Sequence, residues 1–335
     1  MAPAGDRPVS LRPPPSAPVL LAGPTAVGKS EVALRLAERL GGEIVSVDSM
    51  QVYRGLDLGT AKSSPADRAR VPHHLIDVVE LTASFDAAQF VRHARPAVAD
   101  IQARGRRPIL CGGTGLYFKA FREGLGEAPA ADPALRVELE ATPVEVLLRE
   151  LAARDPATFA KIDRRNPRRV IRAVEVIRLT GRPFSQQRAD WSGGESNAES
   201  RSADNFGLWP LAFGLSRAPA DLRARIDARV ERMFQRGLVQ ETQRLLERGL
   251  AANPTARQAL GYRQVVEHLR GERSLAETIA LVKVRTRQFA KRQMTWFRRQ
   301  MPLTWLELEP DDAPAAVAET LFNRVQAAAG SSPPI

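Results

Sequence analysis

The 335-residue chain has one cysteine, Cys111, and four histidines. A single thiol excludes an internal disulfide and a Cys-rich zinc site, and it suits a reducing compartment. The histidines are too few and too scattered for a His-rich metal site. The adjacent pair in PHHLID (72–77) would not share a face in regular structure, so it is assigned to packing or a loop. No stretch approaches the ~20 apolar residues of a membrane span. The opening MAPAGDRPVSLRPPPSAP lacks the continuous apolar segment of a secretory signal. These absences lead us to expect a soluble cytoplasmic protein without a membrane partner. Acid is also short: 38 Asp and Glu against 49 Lys and Arg leave a net charge of +11. Such an excess points to a polyanionic partner, although an Arg-rich composition alone would produce the same balance.

What is present reads as an α/β chain. Residues 1–17 are rich in proline and small residues and read as a disordered tail. VLLA (19–22) has the uncharged, apolar character of a buried parallel strand. Val32, Leu36 and Leu40 then fall at i, i+4, i+8 and predict a helix stopped by Gly41-Gly42. EIVSV (43–47) is the next strand, completing a βαβ unit. ASFDAAQFVRHARPAVADIQARG is helical in pattern, and RPILCGGTGLYF gives a strand and a Gly-rich turn. The expected domains are a core over 18–125, a tRNA-gripping helical insertion over 126–200, a return to the core over 201–325, and a frayed tail over 326–335, with a polar loop at 190–206 across the end of the insertion. LWPLAFGLS (208–216) is expected to return to the sheet, with helix from 219 almost to the end. The expected fold class is therefore α/β, a P-loop NTPase-like parallel sheet with a helical insertion domain.

GPTAVGKS lies between the first strand and the first helix. It fits G-x-x-x-x-G-K-[ST], the loop whose backbone N–H groups cradle phosphates, in the strand–loop–helix context the motif requires. The phosphate-binding set is Gly23, Pro24, Thr25, Ala26, Val27, Gly28, Lys29 and Ser30; the motif leaves open which donor it holds. Lys29 adds a mobile charge, and the Ser30 hydroxyl is a Mg²⁺ ligand of the usual type. Thr25 places a hydroxyl able to donate to a bridging oxygen. Asp48 falls at the C-terminal end of the second strand, the edge where open parallel sheets bind ligands. It is a candidate general base or Mg²⁺ ligand, with an N-cap as the structural alternative. CGGTGLYF (111–118) puts Thr114 in a second Gly-rich turn on that edge.

Two segments are strongly basic. KIDRRNPRRVIRAVEVIRLTGRP (161–183) has one Lys and seven Arg against Asp163 and Glu175, with Val170, Val174 and Ile177 on one helical face. KVRTRQFAKRQMTWFRRQ (283–300) has seven basic residues and no acid, with Phe289, Trp296 and Phe297 interleaved. Cationic runs neutralise phosphates and aromatic rings stack on unpaired bases. We expect the aromatics to be core and the cationic run to meet nucleic acid.

In order along the chain, GPTAVGKS, SVDSMQVYRGLDLGTAK, PHHLID, GGTGLYFKA, NPRRVIRAVEV, QALGYRQ and KRQMTWFR resemble the tRNA dimethylallyltransferase (tRNA isopentenyltransferase) family, of bacterial type. The resemblance covers nearly everything after residue 17. It implies transfer of a dimethylallyl group from dimethylallyl diphosphate to the exocyclic N6 of the adenine 3′-adjacent to the anticodon, in tRNAs reading codons that begin with U. Magnesium is implied as cofactor, with Ser30 and Asp48 as candidate ligands. The tRNA anticodon stem-loop is the implied partner, and a monomer suits it. By resemblance the phosphate-binding set holds a diphosphate, Asp48 is the general base, and Thr25 contacts the bridging oxygen. Arg217 is the best match for an arginine opposite Thr25, with Arg223 and Arg225 as neighbours. The implied tRNA contacts are Asp48, Ser49, Met50, Gln51, Thr114, Arg136, Arg168, Arg169, Val170, Ile171, Arg172, Gln258, Gly261, Tyr262, Arg263, Lys291, Arg292, Gln293, Trp296 and Arg298. The stretch 137–150 looks shorter than the family's, and the single Cys excludes the zinc finger of some eukaryotic forms. The rival readings are an adenylate isopentenyltransferase, which would not need the basic helices, and a P-loop ATPase or kinase, which EIVSVD fits poorly.

Overall fold

A computed structural model of the chain describes residues 17–187 and 211–330. The Pro-rich stretch 1–16 and the polar loop 190–206 lie outside the described residues. Two compact units divide the chain. One holds the described residues up to Phe121 together with those from 211 onward, and the other begins at Arg122.

The first unit starts with β1 (Val19–Ala22), α1 (Lys29–Leu40) and β2 (Gly42–Val47), as the apolar spacing predicts. Gly41 closes α1 in the left-handed conformation and returns its N–H to Ala37 O. α2 (Pro65–Arg70), the two-residue β3 (His73–His74), α3 (Ala87–Ala103), β4 (Arg107–Gly112) and α4 (Gly115–Glu123) follow. A reciprocal cap starts α3, with Asp86 Oδ1 accepting from Gln89 N at 2.8 Å and Gln89 Oε1 accepting from Asp86 N at 3.1 Å.

The second unit is helical: α5 (Pro133–Ala141), α6 (Val144–Arg154), α7 (Pro156–Lys161) and α8 (Pro167–Thr180). Val170, Val174 and Ile177 do form the buried face of α8, against Leu139, Leu147 and Leu151. Glu175 is fully buried there and accepts from Arg136 and Arg172, both at 2.7 Å. Asp155 accepts from Thr158 N and from both Ser185 N and Ser185 Oγ, which staples the 184–186 turn to the start of α7.

The chain then re-enters the first unit through β5 (Ala212–Arg217), α9 (Pro219–Gln235), α10 (Leu238–Glu247), α11 (Tyr262–Leu269), α12 (Leu275–Gln300), β6 (Thr304–Leu308) and α13 (Pro314–Gly330). Three expectations are corrected here. TWLEL is a strand inside a stretch read as helix, and α13 runs to Gly330, into the 326–335 stretch read as a tail. PHHLID also supplies the short edge strand β3, where the pair was expected to pack or loop.

Among the described residues the six strands are all parallel, in the order β3-β2-β4-β1-β5-β6. β1 pairs Val19 with Ile109 of β4 and Leu20 with Ala212 of β5. Its neighbours are therefore reached by long crossovers, and the sheet reverses direction of growth at β1, where a crevice opens beyond the strand ends. β1 alternates its side chains between two cores. Leu20 and Ala22 pack with Phe90, Phe118, Tyr262 and Phe297. Val19 and Leu21 pack with α1 and with Leu321 and Val325 of α13. Two-sided burial explains why VLLA is apolar throughout. No helix among the described residues is long and apolar enough to cross a membrane.

Candidate active site

The C-terminal edge of the sheet gathers the loop after β1, Asp48 after β2 and the Gly-rich turn after β4. Gly28 has φ 112° where α1 begins, and Ala26 has φ 65°, a conformation uncommon for a residue with a side chain. This curls the loop from Gly23 to Ser30 above the start of α1, whose first N–H groups lack helical partners. Lys29 Nζ donates to Pro24 O at 2.7 Å, across the loop. Burial draws its pKa from 10.5 to about 8; the Arg229 charge adds to that, while Asp48 opposes it. The Thr25 and Ser30 hydroxyls donate to nothing among the described residues.

Asp48 is half-buried. Its Oδ1 accepts from Met50 N at 2.8 Å and Gln51 N at 3.2 Å, which caps a turn; no helix starts there, so Asp48 is not the N-cap weighed from sequence. Those bonds fix the carboxylate by one oxygen and leave Oδ2 without a hydrogen bond among the described residues. Ser49 N donates to Thr114 Oγ1 at 3.1 Å, which joins the Asp48 turn to the turn after β4. Ser49, Met50, Gln51 and Thr114 thus surround Asp48 on the edge where they were expected.

α12 closes this edge from above. Gln293 Oε1 accepts from Thr25 N at 2.9 Å, and Gln293 Nε2 donates to Gly113 O at 2.9 Å. A Cβ on Gly113 would sit 2.4 Å from Gln293 Nε2, and one on Gly115 would sit 2.1 Å from the Trp296 ring. Both glycines are therefore needed for this close approach. Phe297 is core, edge-on to Phe118, as expected. Phe289 is not: it is 36% exposed beneath Arg292. Lys291, Arg292 and Arg298 are exposed. The first two line a surface cavity of ≈ 530 Å³ with Gln288, Thr295, Trp296, Arg299 and Gln300.

Several expected residues sit elsewhere. Arg217 is 8% exposed and donates to Val27 O at 3.0 Å, Asp221 at 2.8 Å and Glu309 O at 2.5 Å. It is a brace between the loop, α9 and the end of β6, so the expectation that it faces a leaving group is corrected. Arg223 is exposed, and Arg225 Nε donates to Ala26 O at 3.2 Å. The guanidinium whose charge acts on both Lys29 and Asp48 is that of Arg229, which donates to Thr60 O at 3.3 Å and which the sequence reading missed. Burial lowers its pKa, and the Asp48 charge opposes the shift. Its spacing of four from Arg225 puts both on one face of α9, which was the available signal.

Among the expected RNA contacts, Val170 and Tyr262 are fully buried, Gly261 is buried, and Gln293 is 9% exposed. Packing and backbone hydrogen bonds occupy them, so a direct contact is corrected for these four. Arg263 donates to the exposed Gln258 and to Glu267. In the second unit Arg168 and Arg169 are exposed in the first turn of α8, Ile171 is half-buried, and Arg136 and Arg172 bind Glu175. His73 Nδ1 meets Val71 O, and His74 Nε2 meets Glu43 at 2.6 Å, so both serve packing and pairing.

Ser30 and Asp48 provide hard oxygen donors, the type Mg²⁺ prefers when it binds through one or two protein groups and substrate phosphates. No cluster of three or more His, Cys, Asp or Glu able to form an all-protein metal cage occurs among the described residues. The donor set therefore fits Mg²⁺ carried with a phosphate ligand.

A family model described as IPP transferase matches residues 51–300. A tRNA dimethylallyltransferase of Geobacter metallireducens is 47% identical over 296 residues, covering 86% of this chain and 92% of that protein. One from Halorhodospira halophila is 48% identical over 294 residues, 85% of this chain and 91% of its own length. Among solved structures, the full-length tRNA isopentenylpyrophosphate transferase of Bacillus halodurans is similar with a TM-score of 0.65 at 37% identity, covering 93% of this chain and 98% of that one. A eukaryotic dimethylallyltransferase, captured in crystallographic snapshots acting on tRNA, gives 0.69 at 27% identity over 87% of this chain and 73% of its own.

Proposed function

The chain belongs to the IPP transferase family, and on that premise we propose how this site transfers a dimethylallyl group to tRNA. The donor is dimethylallyl diphosphate and the accepting atom is the exocyclic N6 of the adenine 3′-adjacent to the anticodon, in tRNAs reading codons that begin with U. The observation that carries this reading is one sheet edge holding a phosphate cradle, the free Oδ2 of Asp48 and the charges of Lys29 and Arg229.

The adenine N6 lone pair is delocalised into the ring, so the nitrogen is a weak nucleophile. As N6 bonds to C1 of the dimethylallyl group, the C1–O bond breaks and its electron pair leaves with the diphosphate. Asp48 takes the N6 proton, a general-base role that requires a fixed, ionised carboxylate. The hydrogen bonds from Met50 and Gln51 fix it. The loop N–H groups, Lys29 and Arg229 stabilise the charge developing on the leaving group. Thr25 donates to the bridging oxygen, and Arg229 replaces Arg217 as its cationic partner. Ser30 would hold Mg²⁺, which would supply further positive charge to the diphosphate, while the uncapped oxygen of Asp48 is kept for the proton. The target base must leave its stack to reach Asp48. Lys291, Arg292 and Arg298 on α12, and separately Arg168 and Arg169 on α8, offer phosphate contacts. The reading includes a monomer working in the cytoplasm, where tRNA is found.

The test is transfer of labelled dimethylallyl groups, with Mg²⁺, to unmodified tRNA and separately to AMP and ATP. Label in tRNA alone is expected. Label in the free nucleotide, or ATP hydrolysis without label transfer, overturns the reading.

A further inference from the structure

QALGYRQ is among the segments expected at the RNA surface, yet its tyrosine is 0% exposed. Tyr262 OH donates to Glu241 Oε1 at 2.5 Å and accepts from Gly59 N at 3.0 Å. Glu241, itself buried on α10, accepts from Leu58 N at 2.9 and 3.1 Å with its two oxygens and from Asp57 N at 3.2 Å. Three successive N–H groups of an irregular turn thus donate to two side chains instead of to helix or strand partners. The Tyr262 ring is flush against the same turn: a Cβ on Gly59 would lie 2.4 Å from it.

The next carbonyl in this turn reaches the transfer site. Thr60 O accepts from Gln51 Nε2 at 3.2 Å and from Arg229 Nη2 at 3.3 Å. Gln51 is also the residue whose N–H holds Asp48 Oδ1, and its own Oε1 accepts from Ser46 Oγ at 2.9 Å. Arg229 is the cation whose charge acts on Asp48 and Lys29. A buried carboxylate is a costly way to hold a surface turn, and an apolar pair of similar volume would often serve stability as well. Its benefit lies in fixing hydrogen-bond geometry.

We propose that the buried Glu241–Tyr262 pair is a positioning device for the transfer reaction, fixing the 57–60 turn so that the Thr60 carbonyl aims Arg229 and Gln51 at the reacting centre. This rests on the reading of Asp48 and Arg229 given above. Neither Glu241 nor Tyr262 touches substrate; both act through the turn. Small misplacements of catalytic groups cost far more in rate than in stability.

The experiment compares full-length wild type with Tyr262→Phe, Glu241→Gln, Arg229→Lys and the Tyr262→Phe/Arg229→Lys pair, measuring kcat, both KM values and the thermal midpoint. Tyr262→Phe keeps the ring against Gly59 and removes only the hydroxyl. It is expected to lower kcat about tenfold with either KM changed less than about twofold, and Glu241→Gln should act in the same direction. With Arg229→Lys already present, removing the hydroxyl should cost less than about twofold, because the two act in one chain of contacts. A Tyr262→Phe variant with normal kcat and only a lowered midpoint overturns the proposal, as do effects of Tyr262→Phe and Arg229→Lys that simply multiply. Wild type that fails to label tRNA, or Arg229→Lys at the normal rate, removes the underlying reading and this proposal with it. A slow Arg229→Lys beside a normal Tyr262→Phe removes this proposal alone.

Discussion

The two edges of the parallel sheet carry similar charged groups and treat them in opposite ways. At the N-terminal edge Glu43, only 3% exposed, is ringed by His74 at 2.6 Å, Arg104 at 2.8 Å and Arg106 at 3.6 Å. Burial alone would raise its pKa, but hydrogen bonds from His74 and Arg104 outweigh this and hold it below the usual carboxylate range. At the C-terminal edge Lys29 donates to a loop carbonyl, and Asp48 is capped on one oxygen only. Burial desolvates Lys29, and neither it nor Asp48 makes a direct ion pair among the described residues. Paired charge braces a fold, whereas charge held by neutral backbone groups stays available to a ligand.

The comparison can be broken in three places. The largest effect is expected at Asp48→Asn, which keeps an oxygen to accept from Met50 and Gln51 but cannot take a proton. We expect kcat to fall by about 10²–10⁴, with tRNA affinity and thermal midpoint nearly unchanged; a retained rate in single-turnover transfer would remove Asp48 as the base. At the other edge, Glu43→Gln should leave kcat unchanged and lower stability by about 1–3 kcal/mol, read by urea unfolding at neutral pH. The depressed pKa of Glu43 means its stabilisation is present above the unfolded carboxylate value and is lost as pH falls through the folded one. Acid unfolding should therefore be shallower in Glu43→Gln, and an identical pH dependence would place the brace elsewhere. The smallest effect concerns Lys29. Its ammonium is protonated below about pH 8 and lost above it, so kcat/KM for the donor should fall about tenfold per pH unit beyond that point. Lys29→Met should be slow throughout and lack this alkaline limb.

How much was legible in the sequence follows the same division. β1, its loop, α1 and β2 are local patterns: apolar runs, a Gly-rich turn and a 3.6-residue period. The buried face of α8 was equally readable from Val170, Val174 and Ile177. β6 was not, because an edge strand is only partly buried and TWLEL shows neither strict alternation nor an apolar run. Asp48 was readable because a strand end fixes its place. Arg217 and Arg229 were not separable, since both lie in Arg-rich sequence and only the path of α9 decides whose charge acts on Asp48. Tyr262 and Gln293 misled in a different way. A motif shows that a residue type matters at a position, and it is silent on whether the side chain points to solvent or to the backbone of a distant turn.

The bridge made by Gln293 sets a timetable for synthesis on the ribosome. The phosphate loop emerges within the first thirty residues, but Thr25 N finds its partner only when residue 293 arrives. Arg217, which braces Val27, and the sheet neighbour β5 come after the second unit has been made. A nascent chain therefore carries an unfastened cradle until α12 has left the exit tunnel.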